Sequence, residues 1–358
     1  MSKLKCRVCD FKSNDLVDHI ETEHAALGGL DWYMDEFPVG KADVIHPSLC
    51  GEKREEIEVG GKTVTVQGVR LPVNKAPGPY VPSVNPTYHF AEFAQDLAND
   101  VLENKRVMLV GHTGTGKTSS VVQLAAITKN DILRVNLNGQ TSIGDFVGLW
   151  TVKGGEMKWV DGLLPQAMRK GYWLIIDEID FGEPAILGVL NSVLETDGQL
   201  TLKENDGEIV TPHKNFRIFA TGNAIGCMAE YRNMYPGTNI MNDAFLDRWR
   251  VYKVDYLPPA DEVKVLKGCV PKLSAKVAIR IVAVANDIRK SFEAEDVQCA
   301  FSTRRLIDWS EQMIRHRNPI KAAESTIFAK VSKEDSETIK GIIIRMMDPN
   351  AMESKGGK

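Results

Sequence analysis

No stretch of this 358-residue sequence is apolar for the length that a membrane helix needs. The N-terminal MSKLKCRVCDFK carries charge but lacks the apolar segment of a secretory signal. An excess of one charge is missing too: 44 Lys and Arg against 48 Asp and Glu leave −4. That balance argues against a surface built to coat duplex nucleic acid and leaves room only for a local basic pore. Cysteine is sparse, six residues at irregular spacing, which argues against a disulfide framework. The expected setting is a reducing cytoplasm, with no membrane partner. What is present is ordinary globular composition, 43% apolar and 26% charged, in a chain long enough for two or three cores. No internal repeat is visible.

The order of patterns along the chain predicts five segments. Residues 1–50 carry cysteine, histidine and acids. Residues 51–86 read as a linker containing one hairpin, in which IEV and KTVTV are joined by Gly60-Gly61. The linker ends in KAPGPYVPSVNP, whose four prolines forbid helix. Residues 87–257 alternate strand, loop and helix. Tyr88 to Glu103 spaces Phe90, Phe93, Leu97, Val101 and Leu102 as a helix, and that stripe reads as core packing. Strands are expected at 106–110, 132–137, 173–176 and 216–221, with helices at 117–128 and 184–196. Such alternation predicts an α/β fold, a parallel sheet covered on both faces. After Pro258-Pro259 the pattern turns helical, at 260–268, 274–290, 303–316 and about 334–346, which predicts a helical lid over 258–346. Residues 347–358 read as a disordered tail.

The chemistry concentrates in the α/β segment. Gly111-His112-Thr113-Gly114-Thr115-Gly116-Lys117-Thr118 matches G-x-x-x-x-G-K-[ST] in full, between a buried strand and a helix. The glycines let backbone amides wrap phosphates, and the helix N-terminus adds partial positive charge. Lys117 is expected on the β- and γ-phosphates and Thr118 on Mg²⁺, so the cofactors are ATP and Mg²⁺. An apolar strand then ends in Asp177-Glu178. After a full P-loop this pair reads as a Mg²⁺-holding aspartate and a general base for water, rather than a solvated strand end. FRIFATGN is a third buried strand, ending in Asn223.

These motifs resemble AAA+ ATPases of the MoxR branch. The branch's lead-in to the strand that ends in the acidic pair is similar to GLLPQAMRKG (162–171), and its two inserted hairpins are similar to 149–160 and 199–213. Within the branch the closest resemblance is to the small ATPase subunit family of cobaltochelatase, CobS. It runs from about Tyr80 to Leu266, through YVPSVNPTYHF, RVMLVGHTGTGKT, LRVNLNGQTSIGDFVG, VLETDGQLTL and FRIFATGNAIG. The N-terminal Cys/His segment is not a general feature of that family, and NIMNDAFLDRW (239–249) is only loosely similar. The resemblance implies that Asn223 is sensor 1 and that Arg248 is an arginine finger reaching a neighbouring subunit, with Arg250 the weaker candidate. It makes Arg304, or alternatively Arg305, sensor 2. It implies a homo-oligomeric ring, a hexamer, working with a CobT-like von Willebrand A-domain protein and a large CobN-like subunit to power cobalt insertion into a corrin. A MoxR-type chaperone for another metalloprotein and a nucleic-acid motor are the alternative readings. Acids within both hairpins speak against the latter.

Cys6, Cys9, His19 and His24 offer two thiolates and two imidazoles, a donor set for one structural Zn²⁺ in a finger-like module. The alternative is unliganded side chains in a loose N-terminus; His46 and Cys50 read as ordinary loop residues, with substitute ligands as the lesser alternative. Asp10, Asp15, Asp18, Glu21 and Glu23 around it favour protein docking over DNA binding. Cys227, Cys269 and Cys299 read as packed, and His112 as a variable loop position. Trp150 and Trp159 read equally as cross-strand packing or pore contacts.

Overall fold

Alternating side chains on five short strands build the platform for everything else. The structure is a computed structural model that describes residues 4, 5, 12, 13, 63–138, 141–224, 235, 237–239 and 241–347. It divides into units Met1–Ile57 and Glu58–Lys358. In the first unit, the described residues form one antiparallel pair, Leu4–Lys5 with Lys12–Ser13. Cys6, Cys9, His19 and His24 lie outside the described residues.

In the second unit, strands β3 (Val107–Val110), β4 (Ile132–Asn136), β7 (Trp173–Asp177), β10 (Arg217–Gly222) and β11 (Arg250–Lys253) form one sheet in the order β11-β3-β10-β7-β4. Every neighbouring pair is parallel. Side chains on a strand alternate between faces, and helices cover both. Met108, Leu174, Ile176, Ile218 and Ala220 join one core with Ile186 and Leu190 of helix α5 (Pro184–Leu194). Val107, Leu109, Trp173, Ile175 and Phe219 join the opposite core. There they meet Leu97 of α1 (Ala94–Leu102) and Val121 and Leu124 of α2 (Lys117–Ile127). No described helix is long and apolar enough to cross a membrane.

The stretch read as linker is packed from Thr63 onward. Strands β1 (Thr63–Val66) and β2 (Val69–Pro72) pair around Gln67-Gly68 and bury Val64, Val66, Val69 and Leu71 against α1. Among the described residues the partner of the TVTV run is therefore VRLP, not the IEV run, which lies outside them. Gln67 and Gly68 both have positive φ, 46° and 79°, the backbone of a primed two-residue turn whose twist matches the strands it joins. The helix expected from Tyr88 begins only at Ala94. Upstream, Tyr88 shares a 2.8 Å hydrogen bond with Ser120, and Gln123 pairs with the Asn85 backbone in both directions. These ties hold 85–88 against α2 as an isolated turn ahead of the helix.

Both hairpins form. Strands β5 (Gly148–Lys153) and β6 (Glu156–Asp161) set Trp150 opposite Trp159, with rings edge-on at 5.9 Å, so cross-strand packing is real. Trp150 also donates to the Glu204 carbonyl at 2.7 Å. That joins the first hairpin to the second, β8 (Leu200–Leu202) with β9 (Glu208–Val210).

Helices α7 (Pro259–Cys269), α8 (Ala275–Glu293), α9 (Thr303–His316), α10 (Pro319–Thr326) and α11 (Lys333–Met347) share a separate core around Trp309. Helix α10 is absent from the sequence reading, although Asn318 caps it and Pro319 opens it. Cys299 is buried, but Cys269 is exposed, contrary to the packed reading. A buried ion pair locks the lid: Arg289 meets both oxygens of Glu262 at 2.7 Å, and Thr303 donates to the same carboxylate. Both partners of the pair are buried. Glu262→Ala would strand a buried guanidinium, an expected loss of about 3–5 kcal/mol. A thermal melt checks this; an unchanged midpoint rejects it.

Candidate functional site

The chemistry-bearing residues gather at the carboxyl ends of β3, β7 and β10, where open parallel sheets bind ligands. The loop leaving β3 needs its glycines. Gly114 and Gly116 have φ of 75° and 91°. A Cβ on Gly111 would lie 2.0 Å from the Val254 carbonyl oxygen, and one on Gly114 would lie 2.3 Å from Ser302 Cβ. The loop is thus wedged between the sheet and the lid.

Lys117 is buried and turns back into this loop. Its Nζ donates to the carbonyls of Gly111 (2.7 Å) and His112 (2.8 Å) and to Asn223 Oδ1 (3.2 Å). Burial pulls its pKa down to about 8, against the opposing pull of Asp180, Asp177 and Glu178. A buried ammonium in a glycine loop that opens a helix fits a phosphate. Thr118 Oγ1 donates to Asp177 Oδ1 at 2.7 Å, so the two oxygen donors expected on Mg²⁺ are already side by side. Asp177 is held by two residues that sequence reasoning missed. Thr221 donates to Oδ1 at 2.9 Å, and Arg134 Nε and Nη2 meet Oδ2 at 3.0 and 2.6 Å.

Glu178 is exposed, and its backbone is left-handed, φ 55° and ψ 45°. That conformation costs a non-glycine residue about 1–2 kcal/mol, and such strain clusters at functional sites. The turn swings Glu178 away from its neighbour while its amide stays 3.4 Å from Thr221 Oγ1. Asp180 is a further residue missed from sequence. Fully buried, its Oδ2 accepts from the amides of Asn223 (2.9 Å) and Ala224 (3.1 Å), and burial raises its pKa. It fixes the backbone that presents Asn223. Its only sequence signal is its position just after the acidic pair.

His112 has a packing role. It is buried, stacks on Tyr256 at 6.1 Å and meets Phe292 edge-on at 5.6 Å. Tyr256 in turn donates to the Thr113 carbonyl at 3.0 Å and lies under the Arg289 guanidinium at 3.8 Å. The phosphate loop and the lid therefore share one aromatic contact chain. Thr115 donates within the loop to the His112 carbonyl at 3.0 Å.

The arginines separate by their partners. Arg250 pairs with the buried carboxylate of Asp100, which also accepts from Tyr252, so it is occupied within its own chain. Arg248 stands just after short helix α6 (Asp243–Leu246), with Glu195 and the Ala244 carbonyl as partners. Arg304 is exposed in the first turn of α9, two residues after the Ser302 that abuts Gly114. Arg305 turns toward Cys299. Among the described residues, no group of three or more His, Cys, Asp and Glu is placed to hold a metal ion.

Comparisons with known proteins agree with this geometry. Residues 106–248 match the AAA domain of the dynein-related subfamily, and residues 262–346 match the CbbQ/NirQ/NorQ C-terminal domain. The chain is 34% identical over 253 residues to the aerobic cobaltochelatase subunit CobS of Sinorhizobium sp, covering 68% of this chain and 76% of that protein. An uncharacterised protein of Staphylococcus haemolyticus is 30% identical over 247 residues, 67% of this chain and 90% of that one. Midasin of Dictyostelium discoideum is 27% identical over 240 residues, 65% of this chain but only 4% of midasin. An AAA domain implies the use of ATP and Mg²⁺, which the loop, Lys117, Thr118 and Asp177 fit. The chain belongs to the CbbQ/CobS family of MoxR-type AAA+ ATPases.

Proposed function

We propose that this chain hydrolyses ATP as one subunit of a ring, a hexamer, and uses the energy to remodel a metal-inserting partner complex. The observation that carries the reading is the convergence of Lys117, Thr118, Asp177, Glu178 and Asn223 at the ends of three adjacent parallel strands. Gly111, Thr113, Gly114, Thr115 and Gly116 supply the loop backbone that wraps the phosphates. Lys117 exchanges its loop carbonyls for phosphate oxygens. Thr118 and Asp177 would hold Mg²⁺, which when bound screens the phosphate charge. Glu178 takes the proton of the attacking water, and Asn223, fixed by Asp180, orients that water. Arg248 reaches the neighbouring subunit's phosphates, and Arg304 approaches its own chain's nucleotide from the lid.

The likeness to a cobaltochelatase subunit supports a more specific role: powering Co²⁺ insertion into a corrin ring with a CobT-like von Willebrand A-domain protein and a CobN-like subunit. The experiment is steady-state ATP hydrolysis by the purified chain, alone and with each candidate partner. Stimulation by a von Willebrand A-domain protein that co-purifies with the chain is the expected result. Stimulation by DNA instead would overturn it in favour of a nucleic-acid motor.

The N-terminal donor set belongs to the same proposal. The paired strands Leu4–Lys5 and Lys12–Ser13 flank Cys6 and Cys9 in sequence. Two thiolates with His19 and His24 suit a tetrahedral Zn²⁺. Metal analysis should find about one Zn²⁺ per chain by that ligand count, and Cys9→Ser should release it without loss of ATP binding. Zinc-free wild-type protein, prepared without chelator, rejects the site.

A further inference from the structure

Arg248 is not free to sample its surroundings. Its Nε donates to Glu195 Oε1 at 2.8 Å, and its Nη2 lies 2.7 Å from the same oxygen. Its Nη1 donates to the Ala244 carbonyl one helical turn back. A guanidinium has five N–H groups. Three are engaged within this chain, and two remain, one on each terminal nitrogen.

Glu195 is itself anchored. It is the residue that ends α5, and its carbonyl accepts from Arg106, the residue just before β3. The Arg106 carbonyl in turn accepts from the Arg250 amide at 2.7 Å, two residues beyond Arg248. The carboxylate thus stands on backbone tied to the sheet, and the strand leaving Arg248 is tied to the same residue.

Stability does not account for this pair. The Glu195 side chain is 58% exposed, and ion pairs so exposed contribute about 0–1 kcal/mol to folding. Orientation does account for it. A long side chain that must present two N–H groups to a phosphate across an interface gains from having its other three held.

We infer that Glu195 is a positioning residue for Arg248, holding the guanidinium so that its two remaining N–H groups face the neighbouring subunit's nucleotide. The inference rests on the reading of Arg248 as a finger acting in trans. It has a consequence that a merely structural role lacks. Glu195 and Arg248 then lie on the same side of every subunit interface, and Lys117 and Glu178 lie on the other.

The test uses full-length rings. Glu195→Ala should lower kcat by about 10- to 100-fold, the scale on which misplacing a reacting group by 1 Å acts. KM for ATP and the melting midpoint should stay near wild type. Glu195→Gln keeps an oxygen acceptor and should lose less. The double variant Glu195→Ala/Arg248→Ala should be no slower than Arg248→Ala. Mixed with Glu178→Gln subunits, Glu195→Ala subunits should regain activity above the sum of the two parts, because their own Glu178 then meets an intact neighbour. Mixed with Arg248→Ala subunits they should regain none. Wild-type kcat in Glu195→Ala, or recovery on mixing with Arg248→Ala, overturns the inference. If confirmed mixed rings of Arg248→Ala and Glu178→Gln show no recovery, the finger itself is wrong, and the inference falls with it.

Discussion

Glu178→Gln should bind ATP as wild type does and turn it over about 10²- to 10⁴-fold more slowly, the range that a positioned general base contributes. Glutamine keeps the size and polarity of the side chain but cannot take a proton. Mg²⁺ would be held by Thr118 and Asp177, which the change does not touch, so binding survives. The backbone reinforces the expectation. Glu178 sits at φ 55°, a conformation with a cost, and glutamine inherits the same turn. Nucleotide affinity by calorimetry, beside single-turnover hydrolysis, separates the two effects. Hydrolysis near the wild-type rate would remove Glu178 from the base role. Lys117→Ala should behave in the opposite way. It removes a charge-assisted hydrogen bond to phosphate, worth about 1.5–3 kcal/mol, so ATP affinity should fall about 10- to 100-fold.

Arg248→Ala should retain ATP binding and lose about 10³- to 10⁵-fold in turnover, the contribution of arginine fingers elsewhere. Within its own chain, Arg248 pairs with Glu195 at the end of α5, and Lys117 pairs with Asn223 at the end of β10. A finger acting in trans puts base and finger on separate chains. Activity per subunit should fall on dilution as rings dissociate. A mixture of Arg248→Ala and Glu178→Gln subunits should recover part of the lost activity. Each Arg248→Ala subunit keeps its Glu178, and an adjacent Glu178→Gln subunit lends its Arg248. With mixed rings verified by mass, a complete lack of recovery would dismiss the trans finger.

The P-loop and the acidic pair are local: Gly111 to Thr118 and Asp177-Glu178 are contiguous in the chain, each beside the strand that carries it. Their residue types follow from what a phosphate and a divalent cation demand within a few bonds, so they are legible in the sequence itself. The same holds for strands β3 and β7, whose continuous apolar runs suit a sheet covered on both faces. Helix α10 escapes a sequence reading because Asn318 and Pro319 suit the end of one helix as well as the cap and first turn of the next. The hairpin is ambiguous in sequence because Gly60-Gly61 and Gln67-Gly68 both lie beside the TVTV run. Only packing on α1 distinguishes the turn that the described strands use.

The strand order decides what the sequence leaves open. Placing β10 between β3 and β7 brings Thr221 to Asp177 and Asn223 to Lys117, residues 44 and 106 positions apart. Placing β4 beside β7 brings Arg134 to Asp177. Glu195 reaches Arg248 across 53 positions, because helix α5 ends beside short helix α6. None of these pairs has a spacing signature. A residue type records what its covalent neighbours require, whereas a contact between distant segments exists only once the sheet has closed around its core and set their distance.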